Sequence, residues 1–404
     1  MQKRRYLALQ GTASPFFARI QQQLVQMRAS SLRVNFCGGD WLYADRASEA
    51  YDYAGTEEAL ADWYRNALNT RPVTDLLMFG DCRAVHQPVH AVAAELGVRV
   101  HVFEEGYVRP HWLTMERHGV NGRSLLPKDP AWYLEHRKYT PPAPPAFATG
   151  YNLYVRAYHD IRYRIANERM KARFPYYQSH RPYDGLTEYK GLIKRKLFLQ
   201  PGFDRDSNKV VAELASGRRP YYVFPLQLNS DSQVVVHSPF SGIREAIEQV
   251  MRSFVAHAPS DALLVIKNHP LDTGLDDYHA YASQLANELG MLDRLRYIEA
   301  GHLPTLLDHS RGVVVINSTV GLSAIHHRRP LMALGKAIYK MPGLTWHGSL
   351  DDFWLGGEPP DMGLYYAFLD YVVHHTQING DFYSKTGIEM AIPAIIKRLE
   401  ADDA

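Results

Sequence analysis

Short apolar runs alternate along this chain with longer stretches whose apolar positions recur every three or four residues, the mark of strands alternating with amphipathic helices. In the first half Tyr6–Gln10, Leu32–Phe36, Asp75–Phe79 and Val98–Phe103 read as strands, and Phe16–Met27, Glu57–Leu68 and Pro88–Leu96 carry the helical pattern. Gly11 and Ser14-Pro15 mark the turn and helix start after the first strand, and Gly11 leaves room for a ligand to reach the backbone. A single glycine is no GxGxxG fingerprint. Gly38-Gly39-Asp40 reads as a flexible turn. The second half repeats the alternation. Tyr221–Leu226, Leu263–Lys267, Arg296–Ile298, Val313–Ile316 and Pro330–Leu334 read as strands. Gly242–Val255, Asp277–Leu289, Leu303–Leu307 and Val320–His327 read as helices, with Tyr366–Val373 and Ile388–Leu399 as closing helices.

Strand–helix–strand repetition builds parallel sheets covered by helices. The two series are separated by Pro141-Pro142-Ala143-Pro144-Pro145, a stiff spacer that neither a helix nor a central strand tolerates. The expected organisation is a Rossmann-like lobe over residues 1–140, a proline-rich, basic and aromatic connection over 141–215, a second Rossmann-like lobe over 216–345 and closing helices over 346–404. The fold class is α/β and GT-B-like: two Rossmann-type lobes with parallel sheets and a cleft between them. Glycosyltransferases, some epimerases and phosphorylases share that layout, so it does not set the chemistry.

Candidate chemistry sits where strands end, because the carboxyl edge of a parallel sheet faces the ligand crevice. Leu263–Lys267 runs into Asn268-His269-Pro270, which brings Lys267 as a point charge and His269 as a directed donor to a phosphate. Val313–Ile316 runs into Asn317-Ser318-Thr319 ahead of a helix, a second anion seat of hydroxyls and free N–H groups. Taken singly, one is a helix cap and the other a loop; together they suggest one nucleotide phosphate held between two strand ends. Tyr221–Leu226 is followed by Gln227, then Asp231 and Gln233 in a polar loop. That aspartate can act as a nucleophile at an anomeric carbon or simply close an Asx turn. The strand Val98–Phe103 ends in Glu104-Glu105-Gly106, where successive side chains point to opposite faces and one acid can serve as general acid or base.

Composition narrows the partners. Of 404 residues, 45 are Lys or Arg and 43 Asp or Glu, so there is no global pull toward nucleic acid. Two cysteines, Cys37 and Cys82, make neither a disulfide framework nor a zinc site, and a reducing compartment fits. No metal or other cofactor is expected: Asp204-Arg205-Asp206 is a DxD-type triplet, but it lies ahead of a helix and reads as a solvated helix start. The basic start Met1–Arg5 runs into a strand rather than a signal-peptide core, and no run approaches the roughly 18 apolar residues of a spanning helix. A cytoplasmic protein that meets a membrane only at its surface is expected. Residues 151–200 hold eleven Lys or Arg against four acids, interleaved with eight tyrosines. That mixture suits an anionic membrane surface or polymer, or a pair of amphipathic helices with half-buried tyrosines.

Several stretches resemble bacterial capsule polysaccharide biosynthesis proteins of the KpsS type. They are Tyr6–Gly11 with Ser14–Phe17, Arg33–Asp40, Val102–Trp112, Phe224–Gln227 with Asp231–Gln233, Lys267–Pro270, Asn317–Thr319 and Gly348–Trp354. The resemblance implies a retaining β-Kdo transferase that uses CMP-Kdo to begin a linker on a phosphatidylglycerol-type lipid at the inner membrane, among other capsule assembly proteins. His269-Pro270 resembles the HP motif and Ser318-Thr319 the S/T motif that hold the CMP phosphate in bacterial sialyl- and Kdo-transferases. Glu104-Glu105-Gly106 resembles the (D/E)(D/E)G motif that supplies the general acid or base, from either Glu104 or Glu105. Asp231 matches the aspartate proposed as nucleophile in related enzymes. The donor side then comprises Lys267, His269, Pro270, Asn317, Ser318, Thr319, Gln227 and Gln233, and the acceptor side Gly11, Ser14 and Arg109. Two other readings stay open: an inverting sialyl-type transferase with no nucleophile, and a non-catalytic adaptor for capsule export.

Overall fold

A computed structural model describes residues 4–46, 48–179, 185–229 and 232–401. Among these residues twelve strands form: β1 (Arg5–Ala8), β2 (Ser30–Asn35), β3 (Glu49–Asp52), β4 (Asp75–Phe79), β5 (Arg99–Glu105), β6 (Trp112–Arg117), β7 (Tyr221–Pro225), β8 (Leu263–Lys267), β9 (Leu295–Ile298), β10 (Gly312–Val315), β11 (Leu331–Ala333) and β12 (Gln377–Asn379). They make a seven-stranded sheet in the order β12-β6-β5-β4-β1-β2-β3 and a five-stranded sheet in the order β11-β10-β7-β8-β9. The second sheet is wholly parallel. The first is parallel from β3 to β5, with β6 and β12 added antiparallel at one edge. In both, the first strand lies inside, the next two step outward on one side, and the chain then returns to the other side. This is the doubly wound Rossmann order, and its strand sequence reverses beside β1 and beside β7.

The chain divides into two units, one of Met1–Leu125, Pro142–His180 and Val372–Ala404, the other of Leu126–Pro141 and Arg181–Tyr371. These limits differ from the sequence-based ones at both ends of the connection. The helix Lys385–Glu400 is part of the first unit, where Ile388, Ile392, Ile395, Ile396 and Leu399 fill a core with Phe16, Phe17 and Phe103. Their spacing of three and four residues makes one apolar stripe, and the helix Phe16–Gln26 presents the matching face. The second unit centres on Phe224, Leu264, Ile266, Val314 and Ile316, covered by the helix Ile243–His257 and by Phe353 and Trp354. Strands β3 and β12 escaped the apolar pattern because they are marginal, β3 largely solvent-facing and β12 of three residues, and β6 escaped it because its buried positions include Thr114 and Glu116.

Gly38-Gly39-Asp40 is corrected from a flexible turn to the start of the buried helix Gly38–Leu42. The reason lies in residues 151–179. The helix Leu153–Arg169 crosses so closely that a Cβ on Gly38 would strike the Ala166 carbonyl and one on Gly39 the Tyr163 ring. Asn167 Oδ1 accepts the Gly39 N–H at 2.6 Å, and the Tyr163 hydroxyl donates to Asp40 Oδ1 at 2.9 Å. Glycine here permits close approach, which a sequence pattern cannot distinguish from flexibility.

Asp75, at the amino end of β4, is buried between Arg99 Nη2 at 2.7 Å and His101 Nε2 at 2.8 Å. Burial raises its pKa, but hydrogen bonds from His101, Arg99 and Thr74 together outweigh it and hold the carboxyl far below the usual range. Stability from this depressed group is present above the unfolded carboxylate value of about 3.9 and is lost as pH falls through the folded value. Asp75→Asn should cost about 3 kcal/mol at neutral pH and flatten the acid limb of a urea-midpoint-against-pH curve. Gly39→Val should cost about 2 kcal/mol in the same assay through overpacking against Tyr163.

Candidate functional site

In the second unit the strand order reverses between β7 and β10, so their carboxyl ends diverge and leave backbone groups to satisfy. Two buried amides bridge the gap. Gln227 Oε1 accepts from the Asn317 backbone N–H at 3.2 Å and Gln227 Nε2 donates to Asn317 Oδ1 at 3.3 Å. Asn317 Nδ2 in turn donates to the His237 carbonyl at 3.3 Å. Gln227 and Asn317 thus brace the floor of the switch point.

Lys267 closes β8, paired in register with Pro225 and Ile298. It is 7% exposed, and its ammonium makes no hydrogen bond or ion pair among the described residues, while its carbonyl accepts the Leu226 N–H at 2.8 Å. Burial lowers its pKa and the field of Glu299 opposes that shift. Its side chain lines a cavity of about 190 Å³ with Pro270 and Asp272 after β8, Glu299, Ala300 and Gly301 after β9, and Leu192, Arg195, Lys196 and Gln200 from a helical segment. Both acids are engaged: Arg195 Nη2 lies 2.5 Å from Glu299 and its Nη1 lies 3.6 Å from Asp272, while Asn268 Nδ2 donates to Glu299 at 2.7 Å and to Asp272 at 3.0 Å. Arg195 balances one of these two carboxylates and Asn268 is neutral, so the other negative charge offsets Lys267 through the field of Glu299; the Lys267 ammonium is left without a hydrogen-bond acceptor among the described residues, which suits an acceptor-rich ligand.

Of the donor-side candidates only Lys267 and Pro270 line this cavity among the described residues; the others follow β8, β7 and β10 in the same sheet. His269 is half-buried and its Nδ1 accepts the Leu271 N–H at 3.1 Å. In its neutral form the ring then carries its proton on Nε2. Ser318 Oγ accepts the Val320 N–H at 3.2 Å at the start of the helix Val320–His326. The Ser318 carbonyl is held by the Tyr339 hydroxyl at 2.5 Å, which fits because Gly321 has no Cβ to meet that ring. Thr319 is the helix N-cap residue, half-buried beside it. The ends of β8 and β10 flank β7 and so lie about 9–10 Å apart, a span that one phosphate and two side chains bridge. Gln233 belongs to the short helix Ser232–Val235, and Asp231 lies outside the described residues.

In the first unit, Glu104 and Glu105 end β5 on opposite faces of the strand. Glu104 Oε1 accepts the Glu105 N–H at 2.9 Å, and its Oε2 lies 3.5 Å from where a Cβ on Gly80 would sit. Glu105 pairs with Arg156 at 3.3 Å. Gly106 is obligatory because a Cβ there would meet the Trp112 carbonyl. The switch point beside β1 is bridged as in the other unit: Arg83 Nη1 donates to Gln10 Oε1 at 3.0 Å and to the Gly11 carbonyl at 2.9 Å. The space left by Gly11 is taken by the Phe17 ring, and Ser14 is buried, its hydroxyl 2.7 Å from Thr12. Their placement makes the turn rather than an open ligand surface. Arg109 is exposed, with Nε donating to the Gly106 carbonyl at 3.3 Å. Asp204-Arg205-Asp206 lies within the helix Gln200–Ala215, where exposed Asp206 pairs with Arg205 and Lys209.

The sequence pattern missed Glu299, Asp272, Arg195 and Lys196. Glu299 directly follows β9, at the strand end where the same reasoning found Lys267, and that signal was available. Arg195 and Lys196 lie in a π-helical turn, Lys194–Leu199, inside a longer helix, and nothing local ties them to β8.

Two Rossmann-type units, each with polar side chains converging on its strand-order reversal, define an α/β protein of the GT-B kind. Residues 74–383 match the family described as capsule polysaccharide biosynthesis protein. The chain belongs to that family. It is 34% identical over 381 residues, 94% of this chain and 97% of the other, to the capsule polysaccharide export protein KpsS of Escherichia coli. It is 32% identical over 391 residues, 94% of this chain and 91% of the other, to the capsule polysaccharide modification protein LipB of Neisseria meningitidis serogroup B. Among solved structures it is similar to the β-Kdo 2,7 transferase of Thermosulfurimonas dismutans KpsC, with TM-score 0.45 and 13% identity over 98% of this chain and 100% of that one.

Lys267→Met keeps the side-chain volume and removes the buried charge. We expect it to stabilise the protein by about 1 kcal/mol at neutral pH, read as a higher urea midpoint. The folded state binds the Lys267 proton less tightly than the unfolded chain, so the wild-type penalty is full at low pH. It fades as pH rises toward the unfolded value of about 10.4, and the gain from Lys267→Met should shrink there.

Proposed function

We propose that this member of the capsule polysaccharide biosynthesis family is a glycosyltransferase that moves Kdo from CMP-Kdo to a phosphatidylglycerol-type lipid, with retention, at the cytoplasmic face of the inner membrane. The observation that supports the reading is Lys267, an ammonium buried without a direct hydrogen bond or ion pair among the described residues, two positions before His269 at the carboxyl edge of a Rossmann sheet. Family membership and the HP, S/T and acidic-pair motifs supply the substrate class.

Departure of CMP from a tertiary anomeric carbon builds negative charge on the phosphate. His269 Nε2–H and the hydroxyls of Ser318 and Thr319 stabilise that charge as donors, and Lys267 adds its field in a site with little water. Gln227 and Asn317 act one step back by bracing the loops that carry these groups. The Asp231 carboxylate captures the oxocarbenium-like carbon as an ester. The acceptor hydroxyl then displaces it, its proton going to a carboxylate of the Glu104–Glu105 pair, and two inversions give net retention. Of that pair we assign the base to Glu104, the first acid of the (D/E)(D/E)G-like motif, and Glu105 pairs with Arg156. The step needs no divalent metal, since the leaving phosphate is neutralised by protein donors.

Intact-mass measurement after incubation with CMP-Kdo tests the covalent step. Wild type should carry one Kdo that is absent from Asp231→Ala. His269→Ala should lower kcat/KM about a hundredfold, and Glu104→Gln should slow turnover far more than Glu105→Gln. An inverted anomeric centre in the product, read by NMR, would eliminate the double displacement.

A further inference from the structure

The helix Leu153–Arg169 has two faces of different character. Its inner face docks on the first unit. Arg156 pairs with Glu105 at 3.3 Å, His159 Nδ1 lies 2.7 Å from the Tyr43 hydroxyl, Tyr163 donates to Asp40, and Asn167 receives the Gly39 N–H. Positions 156, 159, 163 and 167 recur every three or four residues, so this face is fully accounted for. The outer face carries Tyr154, Tyr158, Ile161 and Ile165 at the same spacing. All four are exposed, Tyr154 to 84% and Tyr158 to 55%, and no residue of the helix is fully buried. Apolar and aromatic side chains in a row on a solvent-facing helix are seldom left uncovered.

Charge says what covers them. Asp160 is neutralised by Arg164 at 2.9 Å. Arg162, Arg169 and Lys171 beside the stripe are exposed and pair with no carboxylate among the described residues, Arg162 lying over the Tyr158 ring at 5.5 Å. Guanidiniums flanking tyrosines and isoleucines match an interface whose outer layer is anionic and whose next layer is hydrocarbon. The second unit carries the same combination on its own segment, with Ile193, Leu197 and Phe198 exposed among Lys190, Lys194 and Lys196.

We propose that the Tyr154–Tyr158–Ile161–Ile165 face is the surface by which the protein docks on an anionic bilayer, with Arg162, Arg169 and Lys171 meeting lipid phosphates. This rests on the reading of a lipid acceptor and gives it a place. The docking helix holds Glu105 through Arg156, so lipid contact is made on the same element that grips the acid pair at the end of β5.

The test uses the full-length chain, no sugar nucleotide, and vesicles of phosphatidylcholine with or without phosphatidylglycerol. Wild type should co-sediment with the phosphatidylglycerol vesicles and much less with pure phosphatidylcholine. The double variant Arg162→Glu/Arg169→Glu should lose at least about twentyfold in partition, from about fivefold per lost basic charge. Tyr154→Ser/Tyr158→Ser should lose at least tenfold, while Tyr158→Trp, which keeps an interfacial ring, should hold or raise the partition and guards against misfolding as the cause. Equal partition of all variants overturns the proposal. So does loss on charge reversal with no loss on removing the tyrosines, which marks a charge-only contact. A wild-type dimer in solution that Tyr154→Ser/Tyr158→Ser converts to monomer also overturns it, the stripe then being covered by a second copy. Vesicle binding needs no donor: if it behaves as expected and no CMP is released when CMP-Kdo and lipid are supplied, docking stands and the transferase reading falls, and the reverse pair of results has the opposite meaning.

Discussion

Each sheet reverses its strand order beside its first strand, and the chemistry of the molecule follows from that constraint. Right-handed crossovers send two strands outward on one side before the chain returns to the other. Neighbouring helices then leave the sheet in opposite directions and the loops part at β1/β4 and at β7/β10. A parting of loops exposes backbone donors and acceptors that must find partners. Both units meet the need with a glutamine placed directly after, or one residue beyond, the first strand's last apolar position. Gln10 binds Arg83 and Gln227 binds Asn317. The same device in two unrelated stretches of chain shows a geometric requirement being met.

Around those braced reversals the molecule tolerates charges that folding alone would not select. Lys267 is the clearest case: its ammonium is taken from water with no hydrogen bond or ion pair among the described residues, and only the field of Glu299 offsets the burial. Such an arrangement weakens the native state. In the first unit Asp40 accepts from Gln10, Tyr163 and the Phe36 N–H, and Glu105 from Arg156.

The helix Leu153–Arg169 links sequence to function in another way. Its tyrosines divide by spacing: Tyr163 goes inward to a buried carboxylate, while Tyr154 and Tyr158 face out. Composition alone offered a membrane-facing segment or half-buried amphipathic helices, and the structure gives this helix one docked face and one exposed aromatic face. Its inner side explains Gly38 and Gly39, which looked like flexibility and are in fact the contact surface for a crossing helix.

The amino-acid pattern by itself determined the alternation of strands and helices, with Asp75–Phe79 and Leu263–Lys267 recovered to the residue, because a buried parallel strand is a continuous apolar run bounded by polar residues. It also placed Lys267, His269, Ser318 and Glu104 at strand ends, since a polar residue after such a run has nowhere else to be. Tertiary structure decided what spacing cannot encode. The last helix joins the first unit, because its isoleucine stripe fits Phe16 and Phe17 across more than three hundred intervening residues. Edge strands such as β3 and β12 exist only because a neighbour supplies their hydrogen bonds. Arg195 and Lys196 reach β8 through a packing contact between distant segments, and a local pattern carries no information about which distant segment a helix will meet.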